Sequence, residues 1–423
     1  MKICFVTSEF VTEPEFAGGL ANYLGRVSVA LRRHGHEVHV VTRAARPGRV
    51  DHDGVTVHRV VPLWDERMIL DHADPLVPRV MYNTYQDFKS AWCLWRYWRA
   101  LRREARFDLT QVTNVSATGL FFRFERSSPV VTRLSSYRPV WDTLAGVPVT
   151  AGVRARWLME KVAIRGARTV YAPSHFVADL TTRNYGVRRV DVIESPFFRE
   201  AVAADESVYE AHAKGLPYLL FFGRMTSMKG VPVLASALKR TMARVPEMHA
   251  FFVGPDAPFA PGVGMKQHVR AALAEFGSRV HLLDALRHEQ LYPFISHARL
   301  VALPSLADNL PNTCLEAMGL GRAVVATKGS CFEQVIKDGE SGFLVEPGDA
   351  AALSEALEKV WNMTPERLAE VGRRAHEKVL DLHPDRKIPE LIRYFEEVVR
   401  ASSCRATRLG PLPVRNNAEG SGV

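Results

Sequence analysis

Apolar residues along this chain fall into short continuous runs separated by stretches of helical spacing. Lys2–Thr7 (KICFVT) and Glu37–Thr42 (EVHVVT) are two such runs. Between them, apolar residues from Leu20 to Arg33 recur at helical intervals until Gly35 stops the pattern. A short unbroken apolar run is what a strand covered on both faces requires, so this segment predicts a strand–helix–strand unit. Further strands are predicted at Thr56–Val60, Leu109–Val112, Val130–Arg133 and Thr169–Ala172, the last followed by Ser174-His175-Phe176 as a helix cap. A second series, Tyr218–Phe222, His249–Val253, Val280–Leu283, Leu300–Leu303 and Val324–Thr327, alternates with helical spacing after the polar stretch Glu200–Lys214. Strands alternating with helices predict α/β architecture with parallel sheets. The boundaries expected are an N-terminal unit over 1–196, a linker over 197–214, a C-terminal unit over 215–385, a terminal helix over 386–400 and a disordered tail over 401–423.

The length of 423 residues fits two such units better than one core. Five scattered cysteines without CxxC spacing argue against a disulfide framework and a zinc site, and for a reducing, cytoplasmic compartment. Glu9 interrupts the first apolar run too early for a signal peptide. No run approaches the ~18 apolar residues of a spanning helix. The net charge of +9 falls entirely on residues 1–196 and bears on partners more than on fold. No nucleic-acid partner is expected.

Chemistry concentrates in Leu303–Gly321, LPSLADNLPNTCLEAMGLG. A strand ends at Pro304-Ser305, Pro311 opens a helix that Asp308 and Asn309 can cap, and Gly319 and Gly321 stop it. Asp308 thus sits in the loop facing the helix N-terminus, and Glu316 a turn or more inside the helix. A helix N-terminus suits a phosphate, and ionised carboxylates accept hydrogen bonds from sugar hydroxyls. Together they suit a nucleotide-sugar. Gly223-Arg224-Met225-Thr226-Ser227-Met228-Lys229-Gly230 follows the first strand of the second series, where ligands of open α/β sheets bind. Arg224 and Lys229 there can offset charge growing on a departing diphosphate. Gly18-Gly19 occupies the first strand-to-helix loop, in a stretch (GGLANYLG) that is not a GxGxxG fingerprint.

These segments resemble the GT4 family of glycosyltransferases: Asp308 and Glu316 the acid-x7-acid motif, in which both acids are usually Glu, and Arg224 with Lys229 the GR…KG motif. The resemblance implies a GT-B fold, two facing Rossmann-like domains with a cleft between them, and a retaining transfer without a divalent metal from a nucleoside-diphosphate sugar to an acceptor hydroxyl. It implies catalytic roles for Arg224, Lys229, Asp308 and Glu316, and donor contacts at Gly18, Gly19, Gly223, Gly254, Asn309, Leu310, Pro311 and Asn312. The donor is a co-substrate; no resident cofactor or metal is expected. Gly254-Pro255-Asp256 and Asp284-Ala285-Leu286 resemble the nucleobase pocket. The position where many members carry a His after the strand at Pro129–Arg133 is Ser135 here, with Arg133 and Tyr137 beside it. Two alternatives differ in class: a catalytically weak nucleotide-sugar-binding partner subunit, favoured by Asp308 and Ser135, and a nucleotide-sugar epimerase.

The acceptor side carries Trp64, Tyr82, Tyr85 and Trp141, whose rings suit sugars and packed cores alike. Lys89–Arg106 (KSAWCLWRYWRALRREAR) places Ala91, Leu94, Trp95, Trp98 and Leu101 on one stripe, with arginines elsewhere around the wheel. Such a helix either packs its tryptophans onto the sheet or lies on an anionic membrane surface, making the protein peripheral at the inner face.

Overall fold

The computed structural model describes residues 1–14, 18–62, 79–126, 128–309 and 312–408. Trp64 lies outside them, as do Leu310, Pro311 and residues 409–423. The N-terminal sheet holds β1 Lys2–Thr7, β2 Glu37–Arg43, β3 Gly48–His52, β4 Val55–Val60, β5 Leu109–Thr113, β6 Val130–Arg133, β7 Thr169–Ala172 and β8 Asp191–Val192. Their order is β3-β4-β2-β1-β5-β6-β7-β8, parallel throughout except for the β3–β4 hairpin. The second sheet holds β9 Tyr218–Phe222, β10 His249–Val253, β13 Val280–Leu283, β14 Leu300–Leu303, β15 Val324–Thr327 and β16 Phe343–Val345, all parallel in the order β13-β10-β9-β14-β15-β16. A small antiparallel pair, β11 Pro258–Ala260 with β12 Val263–Gly264, stands apart. In β9 and β14 every residue is buried, as strands covered by helices on both faces must be.

The terminal helix runs Pro384–Arg408, so 401–408, expected in the tail, are helical. The glycines and prolines that oppose a helix begin only at Gly410, while Ser402 and Ser403 return their hydroxyls to the Val398 and Val399 carbonyls. This helix buries Ile388, Leu391 and Phe395 against Ile3, Phe5 and Leu24 of the N-terminal sheet layer. The chain therefore crosses between the two sheets twice. The two crossings touch: the Phe197 N–H donates to the Leu382 carbonyl at 2.8 Å, and Lys387 pairs with Glu194 at 2.8 Å. The segment expected as a plain linker contains its own short helix, Ser207–His212.

The tryptophan-rich helix spans Tyr82–Ala105. Ala91 is buried, and Leu94 and Trp98 enter the core beside Cys4, Val6 and Val41, with Trp98 Nε1 donating to Thr110 Oγ1 at 3.1 Å. Trp95 instead joins a partly exposed cluster with Trp92 and Phe121, at 5.1 and 5.7 Å between ring centres. Among the described residues, no helix is long and apolar enough to cross a membrane.

Beneath that helix, on β2 and β4, two buried histidines stack. His39 Nδ1 meets His58 Nε2 at 3.0 Å, and His58 Nδ1 meets the Tyr97 hydroxyl at 3.1 Å. Burial, then the neighbouring His39 and Arg49, push the His58 pKa down to about 4. An unfolded histidine titrates near 6.5, so between about pH 6.5 and 4 the unfolded chain binds the extra proton and stability falls as pH drops. The Tm should decline across that window, and His58→Gln should flatten the decline while lowering the Tm at pH 7. Thermal melts at half-unit intervals check this; an unaltered slope in the variant would remove His58 as its source.

Candidate active site

The donor-side residues converge because β9 and β14 are neighbours whose carboxyl ends open on the same side. After β9, the chain turns through Thr226–Gly230, where Thr226 Oγ1 accepts from the Lys229 N–H at 3.2 Å. Gly230 has φ +71°, and a Cβ there would lie 1.9 Å from the Pro304 carbonyl oxygen, so only glycine lets the two loops meet. The Leu306 N–H then donates to the Met228 carbonyl at 2.8 Å. The loops after β9 and β10 are fitted together the same way: Gly254, at φ +152°, would place a Cβ 2.0 Å from the Gly223 carbonyl oxygen. The Met225 N–H donates to the Pro255 carbonyl.

This stitching brings Lys229 Nζ to 2.5 Å from Asp308 Oδ2 in a pair that is mostly buried. The other oxygen, Oδ1, accepts from the Asn309 N–H at 3.0 Å. Arg224 is exposed at the carboxyl end of β9. Glu316 lies within the helix Asn312–Gly319, half-buried, and Asn312 is its exposed first residue.

The Asn309 side chain reaches across the cleft. Its Nδ2 donates to the Ser135 carbonyl at 2.6 Å, and its Oδ1 accepts from Ser174 Oγ at 2.9 Å. Ser174 is the N-cap of His175–Tyr185. The loop carrying Asp308 is thus fastened across the cleft to the N-terminal sheet layer. Gln334 adds a second fastening, accepting from the His175 N–H at 3.0 Å and donating to the Pro173 carbonyl at 3.2 Å.

Ser135 is held from below. Asn114 Oδ1 accepts its N–H at 2.7 Å, while Asn114 Nδ2 donates to Glu160 at 2.7 Å. Burial pushes the Glu160 carboxyl up to about 7, against the pull of Arg138 and of that hydrogen bond. Of the three candidates Arg133, Ser135 and Tyr137, Ser135 is hydrogen-bonded to the loop that carries Asp308. Arg133 is buried, donating to Ser135 Oγ at 2.8 Å and Ser195 Oγ at 3.1 Å and lying 3.8 Å from the centre of the Tyr23 ring. Tyr137 packs on Tyr185. Trp141 faces Phe176, and Lys89 lies over Tyr85.

Gly18 is the N-cap of Gly19–Arg33 with ordinary φ −80°, so its backbone is unstrained. A Cβ on Gly19 would meet nothing among the described residues within 4 Å. The Glu9 carboxylate stands close to Gly18, its pKa raised by burial despite a backbone hydrogen bond from Ala21. In the region resembling the nucleobase pocket, Lys266 pairs with Asp284 at 2.5 Å. Asp51 accepts from the Gly54 N–H in the β3–β4 turn, on the far edge of the first sheet.

Sequence reasoning missed His288, which contacts Glu316 at 3.7 Å and Glu200 at 2.6 Å. The available signal was its place at the start of the helix following β13, on the crevice side.

Comparisons with known proteins bear on the family and the fold. The family model "Glycosyl transferases group 1" matches residues 216–363, and "Glycosyl transferase 4-like domain" matches 18–196. A D-inositol 3-phosphate glycosyltransferase from Pseudarthrobacter chlorophenolicus is 24% identical over 379 residues, covering 85% of each chain. One of the same name from Corynebacterium urealyticum is 30% identical over 151 residues, covering 35% of this chain and 36% of that one. Among solved structures, sucrose-phosphate synthase from Thermosynechococcus elongatus superposes with a TM-score of 0.74 at 20% identity, over 95% of this chain and all of the other. Anabaena HepE in complex with UDP superposes at 0.66 and 18% identity, over 94% of this chain and all of the other. The chain belongs to the group 1 glycosyltransferases of family GT4, on the GT-B fold.

Proposed function

We propose that the chain moves a sugar from a nucleoside-diphosphate sugar to an acceptor hydroxyl, retaining the anomeric configuration and using no divalent metal. The observation that carries this reading is the Lys229–Asp308 pair, which joins the cationic loop to the acidic loop at adjacent strand ends. Lys229 and Arg224 bind the diphosphate and stabilise the charge it gains as the glycosidic bond breaks. Asp308, whose two oxygens are held by Lys229 and the Asn309 N–H, is fixed as an acceptor for donor-sugar hydroxyls and poorly placed to become a nucleophile. That supports a front-face displacement. The acceptor oxygen attacks from the side the diphosphate leaves, and its proton passes to a leaving phosphate oxygen. Rate then rests on orientation and on charge stabilisation. Glu316 accepts from the ribose hydroxyls.

Incubation with labelled UDP-, GDP- and ADP-sugars tests the reading, using phosphorylated polyols, to which the relatives' names point, and lipid extracts as acceptors. Transfer supports it; epimerised donor, or binding without turnover, supports one of the two alternatives.

A peripheral membrane site is also proposed, from one observation: Phe88 and Trp92 are exposed against Phe121, with Arg96, Arg99 and Arg103 exposed along the same helix and Arg123, Phe124 and Arg126 exposed in the segment that follows Phe121. Aromatic and arginine side chains suit the headgroup boundary, and each cation near an anionic surface contributes about 1 kcal/mol.

Four outcomes are expected. Lys229→Ala and Arg224→Ala should each lower turnover about a hundredfold or more with folding intact, since one preorganised electrostatic contact contributes about 3 kcal/mol, and wild-type turnover should survive EDTA. Steady-state kinetics decide; normal turnover in a variant removes that residue, and activity lost to EDTA and restored by Mn²⁺ or Mg²⁺ overturns the metal-free reading. Glu316→Ala should weaken binding of the bare nucleoside diphosphate by about 1.5–3 kcal/mol, while Asp308→Ala chiefly slows turnover; calorimetry showing the reverse would exchange their roles. Vesicles containing anionic lipid should carry the protein on flotation at low salt, and Trp92→Ala/Phe88→Ala should reduce this; no co-flotation leaves the aromatic cluster without a lipid role.

A further inference from the structure

Glu316 shares its wall of the cleft with a second charged group. His288 opens the helix His288–His297 after β13, and its Nε2 lies 3.7 Å from Glu316 Oε1. Its Nδ1 meets Glu200 Oε2 at 2.6 Å. Both ring nitrogens face carboxylate oxygens, Nδ1 at hydrogen-bond distance and Nε2 at ion-pair distance, an arrangement that the doubly protonated imidazolium suits on each side. Glu316, and after it Glu200, raise the pKa of the ring to about 9 against the cost of partial burial. The remaining oxygen of Glu200 is taken by Arg26 Nη2, and Arg26 Nη1 donates to the Phe198 carbonyl at 2.5 Å. Arg26 belongs to Gly19–Arg33, the helix that begins at the Gly18-Gly19 loop.

Four charges of alternating sign therefore run from the N-terminal sheet layer, through the chain's first crossing, to the helix Asn312–Gly319: Arg26, Glu200, His288, Glu316. The other titratable groups around the ring are few. Tyr292 lies 5.3 Å from it, with Arg199 over the tyrosine ring. Arg287 and Glu289 flank it along its own helix, and Asp205 on the linker side accepts from Gln290.

We propose that His288 is a positioning residue for the donor nucleotide: it fixes the Glu316 carboxylate toward the ribose hydroxyls and, through Glu200, ties that grip to the helix carrying Arg26. The inference rests on the reading of Glu316 as the ribose-binding acid. A carboxylate with one oxygen engaged by a cation keeps the other directed, so less orientation is lost when a hydroxyl binds. With a neutral ring, Glu316 and Glu200 would face each other without the intervening charge, and like-charge repulsion would turn Glu316 away. The imidazolium also adds a positive charge beside an anionic ligand.

The test uses whichever of UDP, GDP and ADP binds the full chain best in calorimetry. The ratio of variant to wild-type Kd is followed from pH 7.5 to 10, so that titration of the nucleotide itself cancels. His288→Gln should raise Kd about tenfold at pH 7.5, the scale of one hydrogen bond to a charged group. The ratio should close toward one above pH 9, because the wild-type ring is protonated below that value and loses its charge as pH rises through it. In kinetics the loss should fall on KM for the donor more than on kcat. Glu200→Gln should behave alike and carries the test if His288→Gln melts early. Arg26→Gln, on the other domain, should raise Kd roughly two- to threefold, and an unchanged Kd there overturns the coupling between domains. A ratio near one at pH 7.5, or a raised ratio that does not change with pH, overturns the positioning role. Glu316→Ala separates the failures: intact nucleotide binding in it overturns the ribose reading, whereas weakened binding beside an unaffected His288→Gln overturns this inference alone.

Discussion

Gly230 and the Pro304 carbonyl approach so closely that no side chain fits between them. The donor half of the site depends on that contact. It lets the turn after β9 lie flat on the loop after β14, where the Leu306–Met228 hydrogen bond holds them in register. Lys229 and Asp308 then come within bonding reach although 79 residues separate them. A partly buried ammonium and carboxylate stabilise little by themselves, because desolvation offsets most of their attraction. Their value here is geometric. A cation already held at the strand ends needs little reorganisation to meet a phosphate, and a carboxylate held on both oxygens presents fixed acceptor directions to a sugar.

Of the two fastenings across the cleft, the one through Asn309 acts on the same loop from the other side. Asn309 is adjacent to Asp308 in sequence, yet its amide is spent on Ser135 and Ser174. The backbone between the two side chains is therefore stretched between sheets: Asp308 answers to Lys229 and Asn309 to the N-terminal layer. Ser135 contributes its backbone carbonyl, and its hydroxyl is engaged by Arg133. Ser135 thus supports the donor loop, with the buried Glu160 and Asn114 beneath it.

Most of the sheet architecture was legible in the sequence, because strands covered on both faces leave unbroken apolar runs. Leu300–Leu303 and His249–Val253 can be read directly. The first sheet's edge could not: Gly48–His52 is largely polar and half exposed, and it joins its neighbour through a turn in which Asp51 accepts from the Gly54 N–H. Candidate chemistry was legible where it is local, as in Gly223–Gly230 and Leu303–Gly321. It was illegible where partners meet only after folding. Nothing in the segment around Glu200 announces that its carboxylate will be shared by Arg26, 174 residues earlier, and His288, 88 residues later. The tertiary bonds of Asn309 were illegible for a related reason. Its type and position suit a helix cap, and a tertiary partner competed for the same amide.

The paired crossings give the molecule a mechanical character that neither sheet has alone. Phe197 and Leu382 lie side by side, bonded to each other, with Lys387 and Glu194 alongside. Two bodies joined by one strand can swivel, tilt and twist. Joined by two adjacent, mutually bonded segments, they keep essentially one soft rotation, like a book on its spine. Any ligand that draws the covers together works along that single coordinate, so contacts as far apart as Arg26–Glu200 and Asn309–Ser135 must tighten or loosen in concert.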